Sequence, residues 1–107
     1  MREEDGMRVN IGTVRAFPGA LPDKAQALKV VEEAAEVFSA WEAWDKWRVV
    51  EDSAGRTLAK SAYVSMMCEL ADCVTACANL AAALGVDDLA PHIERARVKN
   101  ETRGRYE

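Results

Sequence analysis

Between Lys60 and Asp87 the sequence SAYVSMMCELADCVTACANLAAALGV carries no basic residue and only two carboxylates, Glu69 and Asp72. Alanine recurs through it, and alanine is the best helix former. Such a run is predicted to be one long helix that must be covered by other helices. It starts between Thr57 and Ala62 and ends at Leu84, with Gly85 as its C-terminal stop. Two carboxylates three residues apart on an otherwise uncharged helix call for a physical reason.

The rest of the chain supplies the covering helices. Residues 1–22 read as an irregular arm, in which Val9, Ile11 and Val14 alternate as in a short extended piece and FPGALP forms a turn. Asp23 is placed to cap a first long helix running from residue 24 to about residue 49. Along it Leu28, Val31, Ala35, Phe38 and Trp41 recur at helical spacing, and Val30, Val37 and Trp44 widen the apolar sector. EDSAGR, residues 51–56, reads as a polar turn around Gly55. A third helix, DLAPHIERARVKN, is expected to be capped by Asp87, with Pro91 in its first turn where proline does least harm. The expected architecture is all-α: a bundle of two long antiparallel helices and a shorter C-terminal one, residues 23–107, completed by oligomerisation.

Only 7% of the 107 residues are aromatic, and much of the hydrophobic half is alanine, a poor core filler. A domain this short hides about two-thirds of its unfolded surface, which is why oligomerisation enters the expectation. The net charge of -4 argues against a partner that is a nucleic-acid polymer. The C-terminal ERARVKNETRGR is locally basic, so a small polyphosphate anion remains a candidate for that end. The apolar run has no transmembrane character by this reading, and MREEDGMRVN is too charged for a signal peptide. A cytoplasmic protein without a membrane partner follows, with Cys68, Cys73 and Cys77 reduced and in the core. A zinc site would want more ligands and closer cysteine pairs.

Glu32, Glu33 and Glu36 form EExxE on the first helix, and Glu69 and Asp72 form ExxD on the second. At these spacings Cβ atoms lie roughly 5–6 Å apart, and like charges destabilise an isolated helix by about 0.2–0.5 kcal/mol per pair. The glutamates are expected opposite the Val30, Ala34 and Val37 stripe. If the helices pack antiparallel, the clusters converge and a cation belongs between them. Hard oxygen donors suit Mg2+, with Mn2+ as a substitute. A di-iron bundle would require Glu-x-x-His motifs, and His92 lies in neither cluster. Taken singly, EExxE also describes an ordinary solvated face.

EExxE in LKVVEEAAEVFSAW (residues 28–41), ExxD in ELADCVTACANLAAALGVDD (69–88) and the ending RVKNETRGRY (97–106) together resemble the MazG-like nucleotide pyrophosphohydrolases, in the flavour of compact phage-encoded members. The resemblance covers roughly residues 24–107. It implies an all-α hydrolase, a dimer or tetramer, that cleaves nucleoside or deoxynucleoside triphosphates to monophosphate and pyrophosphate. It implies Glu33, Glu36, Glu69 and Asp72 as magnesium ligands, and Glu32 as an outer ligand or as the base that orients the attacking water, so that Glu32 and Glu33 carry the catalysis. Lys99, Asn100, Arg103 and Arg105 would bind the triphosphate.

Each assignment has a plainer alternative. The basic C-terminal residues also complement a helix dipole, worth about 0.3–1 kcal/mol. Trp41, Trp44 and Trp47 crowd the end of the first helix; Trp41 is the candidate to stack on a base, whereas packing in a core or subunit interface is the commoner fate of such residues. Asn79 is open to a hydrogen bond with substrate or with another subunit. Ala71, Ala78 and Ala82 form a small-residue side suited to an isologous dimer. The alternative function is a non-catalytic helical module that binds nucleotide or protein.

Overall fold

A computed structural model of the chain describes residues 7–107. It contains three helices, α1 (Lys24–Arg48), α2 (Ser53–Ala83) and α3 (Ala90–Thr102), and no strand among the described residues. Two compact units result: one spans Val14–Gly85, and the other joins residues 7–13 to Val86–Glu107. The expected extended piece around Val9 and Ile11 is irregular, and the part of the arm at residues 1–6 lies outside the described residues.

Local chemistry explains the helix ends of the larger unit. Pro18 and Gly19 make the turn expected of FPGALP. Asp23 is extended and its Oδ1 accepts the Gln26 N–H at 2.9 Å, which starts α1 as expected. Helix α2 begins at Ser53, four residues or more before the expected start. Asp52 is the reason: its Oδ1 accepts the Gly55 N–H at 2.7 Å, so EDSAGR is the cap and first turn of the helix. At the other end Leu84 closes α2 and Gly85 takes φ +82°, a left-handed conformation that glycine adopts without a Cβ penalty.

Helices α1 and α2 pack on one another. On α1 the half-buried positions include Val30, Glu33, Val37, Ala40, Trp44 and Trp47, spaced alternately four and three residues apart. On α2 the matching series is Ala59, Ala62, Met66, Glu69, Cys73, Ala76 and Leu80. This is the spacing of a two-helix seam. Alanines on α2 face a stripe that ends in two tryptophans on α1, so large side chains meet small ones. Lys46 lies 4.8 Å from the Trp47 ring centre and Arg48 lies 5.2 Å from that of Trp44, covering those rings with cations.

Three expectations change here. The Val30, Val37 and Trp44 stripe faces α2, while Val31 and Phe38, from the stripe expected to lead, are 63% and 59% exposed. Glu33 is on the packed stripe and not opposite it, because it stands three residues after Val30 and four before Val37. The cysteines are not core residues: Cys68 and Cys77 are exposed and Cys73 is half-buried. Among the described hydrophobic residues only Met66 and Ala76 are buried. By length and composition alone α2 is also apolar enough to cross a membrane.

In the smaller unit, α3 opens at Ala90, and the Asp88 Oδ1 accepts its N–H at 2.9 Å. The N-cap position itself is Leu89, which makes no side-chain cap hydrogen bond, so the cap expected of Asp87 does not form, while Pro91 falls in the first turn as expected. Arg97 bridges Glu94 and Glu101 along the helix, and its guanidinium holds the Glu94 carboxyl below the usual carboxylate range.

Candidate functional site

Glu33, on α1, meets Glu69 and Asp72, on α2. One carboxylate oxygen from each lies within 4.8 Å of the other two. Glu33 and Glu69 are half-buried and Asp72 is exposed. The two glutamates occupy seam positions, so helix packing itself forces them together. Desolvation at the seam raises the pKa of Glu69, and the charges of Glu36, Asp72 and Glu33 raise it further. Ionising Glu69 is thus disfavoured first by its partial removal from water and then by the neighbouring carboxylates.

The remaining acidic candidates border this trio. Glu36 is not among the three converging carboxylates, yet its charge reaches Glu69 strongly enough to raise it. Glu32 is turned outward, and the Lys29 Nζ lies 3.6 Å from it. The same Nζ lies 3.3 Å from Glu33. Both carboxylates raise the Lys29 pKa, Glu33 through the larger share.

Beside the trio lies an open groove of about 580 Å³. Phe17, Ala20 and Leu21 of the arm form one wall, Gln26, Lys29 and Glu33 come from α1, and Asp72, Thr75, Ala76 and Asn79 come from α2. A groove this size matches small-molecule sites, which run from about 300 to 1,000 Å³. Asn79, only 3% exposed, holds the arm in position: its Oδ1 accepts the Phe17 N–H at 2.7 Å. The hydrogen bond expected of Asn79 with substrate or subunit is thus found within the chain.

Trp41 does not line the groove; it stands on α1 stacked with Phe38, ring centres 6.2 Å apart. Lys99 and Asn100 are on α3, and Arg103 and Arg105 follow it, all in the smaller unit. Sequence reasoning missed Lys29, Phe17 and the arm wall. Lys29 had a legible signal, a lysine one helical turn before Glu33. Phe17 had none, since its neighbour Asn79 lies 62 residues away. Neither a family model, nor a curated protein, nor a solved structure matches this chain.

Proposed function

We propose that this chain is a magnesium-dependent nucleotide pyrophosphohydrolase of the MazG-like, compact phage type, cleaving a nucleoside or deoxynucleoside triphosphate to monophosphate and pyrophosphate. The observation that carries the reading is the convergence of Glu33 with Glu69 and Asp72, from two separate motifs, at the edge of an open groove of about 580 Å³. The donor set suits magnesium or manganese, being carboxylate oxygen throughout. Glu33, Glu69, Asp72 and the neighbouring Glu36 would hold the metal. When bound it would supply positive charge to the phosphates and make water more acidic.

The chain's own residues divide the remaining work. Glu32, turned outward beside the trio, orients the attacking water and takes its proton as the water oxygen bonds to phosphorus. The bond between the α-phosphorus and the bridging oxygen then breaks, and pyrophosphate leaves with that oxygen. Phe17 and Leu21 offer the base an apolar wall. Lys99, Asn100, Arg103 and Arg105 are assigned to the triphosphate, one subunit serving its partner's site.

The antiparallel pairing of α1 and α2 and the assembly into a dimer or tetramer belong to the same proposal. Three contacts support the pairing: Val50 beside Gly55, Glu33 beside Glu69, and Phe17 beside Asn79. Exposed Val31, Phe38, Val64 and Met67 support the assembly, as uncovered apolar surface on both long helices. Light scattering at micromolar concentration is expected to return a dimer or tetramer, and a fully active monomer would refute it. A cytoplasmic, membrane-free location completes the proposal, favoured by free thiols at Cys68, Cys73 and Cys77 and by Glu69 and Asp72 within α2.

The deciding experiment incubates a panel of triphosphates with magnesium and assays monophosphate and pyrophosphate. Release of orthophosphate overturns the reading, and no turnover on any substrate overturns it in favour of the non-catalytic module. Magnesium is also expected to stabilise the fold, because the carboxylates gather only in the native state. At a hundredfold excess over the dissociation constant the gain is about 2.7 kcal/mol, about 10–20 °C in midpoint for a chain this size. Equal melting midpoints with magnesium and with chelator would rule out convergence on a metal.

A further inference from the structure

We infer that Lys29 is a transferable counter-charge: it neutralises Glu33 while no metal is bound, and moves onto the substrate's phosphates once a divalent cation has taken Glu33. The inference rests on the pyrophosphohydrolase reading and adds to it a residue that neither acidic motif contains.

Lys29 stands four residues before Glu33, so the two side chains meet on one face of α1. Its Nζ is 3.3 Å from a Glu33 oxygen and 3.6 Å from a Glu32 oxygen. Glu33 is also one of the three converging carboxylates. A divalent cation and the ammonium group therefore compete for the same carboxylate, and the doubly charged ion, which Glu69 and Asp72 also hold, wins.

The displaced ammonium stays in the groove. Lys29 lines it, and among the described lining residues it is the one cation, set against Asp23, Glu33 and Asp72. Within the groove's own lining, which is otherwise neutral or acidic, Lys29 is the side chain that can offer positive charge to a triphosphate. A lysine suits the exchange, because its flexible stem carries a point charge that swings by several ångströms. An arginine would grip Glu33 with two parallel hydrogen bonds and release it less readily. The side chain of Lys29 is 53% exposed, so nothing in the packing opposes the swing.

The test uses the full chain and its Lys29→Gln and Lys29→Arg variants, each checked for wild-type helix content and cooperative melting in chelator. Titration calorimetry with magnesium alone is expected to show Lys29→Gln binding about two- to fivefold tighter, the range open to an exposed ion pair. Binding of inorganic tripolyphosphate at saturating magnesium should weaken about tenfold in the same variant, with Lys29→Arg recovering only part of it. KM for a nucleoside triphosphate should rise in parallel, with kcat affected less. Lys29→Gln that binds magnesium no tighter, or tripolyphosphate no more weakly, overturns the inference while leaving the pyrophosphohydrolase reading intact. A wild-type chain that binds neither ligand removes both.

Discussion

Glu69→Gln is expected to lower turnover on the order of a thousandfold while leaving the metal-free fold as stable as the wild type or more so. The substitution keeps the shape of a seam side chain and deletes only its charge. That charge is unwelcome in the metal-free protein: desolvation raises the Glu69 pKa, and Glu36, Asp72 and Glu33 raise it further. With magnesium present the same charge becomes one of the ligands that the proposed chemistry requires.

The pH dependence has a definite sign. A carboxyl whose folded pKa exceeds its unfolded value binds its proton more tightly in the folded state. Its destabilising effect is full above the folded pKa, and fades as pH falls through that value towards the ordinary glutamate range near about 4.3. In chelator, the stability advantage of Glu69→Gln should therefore be greatest at neutral pH and shrink on acidification. Melting curves of both proteins from about pH 8 to about pH 4 measure the difference directly. A variant less stable than wild type at neutral pH would mean that Glu69 has a favourable partner in place of the repulsion.

The second large effect is expected at Gly55. A Cβ built there would lie 2.5 Å from the Val50 Cβ and Cγ1 and 2.6 Å from the Val50 carbonyl oxygen. No rotamer change relieves a clash with backbone, so the connection from Val49 to Asp52 must move. Alanine would return about 1 kcal/mol of helix propensity. Overpacking costs typically about 1–3 kcal/mol and sometimes more, and here it includes disturbance of the Asp52 cap at 2.7 Å. Gly55→Ala should lose about 1–2 kcal/mol net, read as a midpoint roughly 5–15 °C lower. An alanine variant as stable as the wild type would mean that α1 and α2 can separate at this end without cost.

Gly55 also marks where reading the sequence stops working. Within an acidic, polar stretch it looks like a turn glycine, because local chemistry cannot reveal that Val50 will lie against it. What the sequence determined alone was what depends on neighbours within a turn or two. The three helices, the Asp23 cap, the Gly85 stop and the closeness of Glu69 to Asp72 all followed from periodicity and capping.

Tertiary structure decided which faces are inside. Helix α1 carries two apolar stripes, one through Val31 and Phe38 and one through Val30, Val37 and Trp44, and hydrophobicity alone ranks them nearly equally. In the folded chain it is the stripe through Val30, Val37 and Trp44 that is half-buried, and that choice carries Glu33 into the seam with Glu69. The same packing buries Asn79, which then holds Phe17 and builds the groove. Contacts across 62 residues leave no trace in a periodic pattern, because they depend on side-chain volumes meeting in space and not on spacing along the chain.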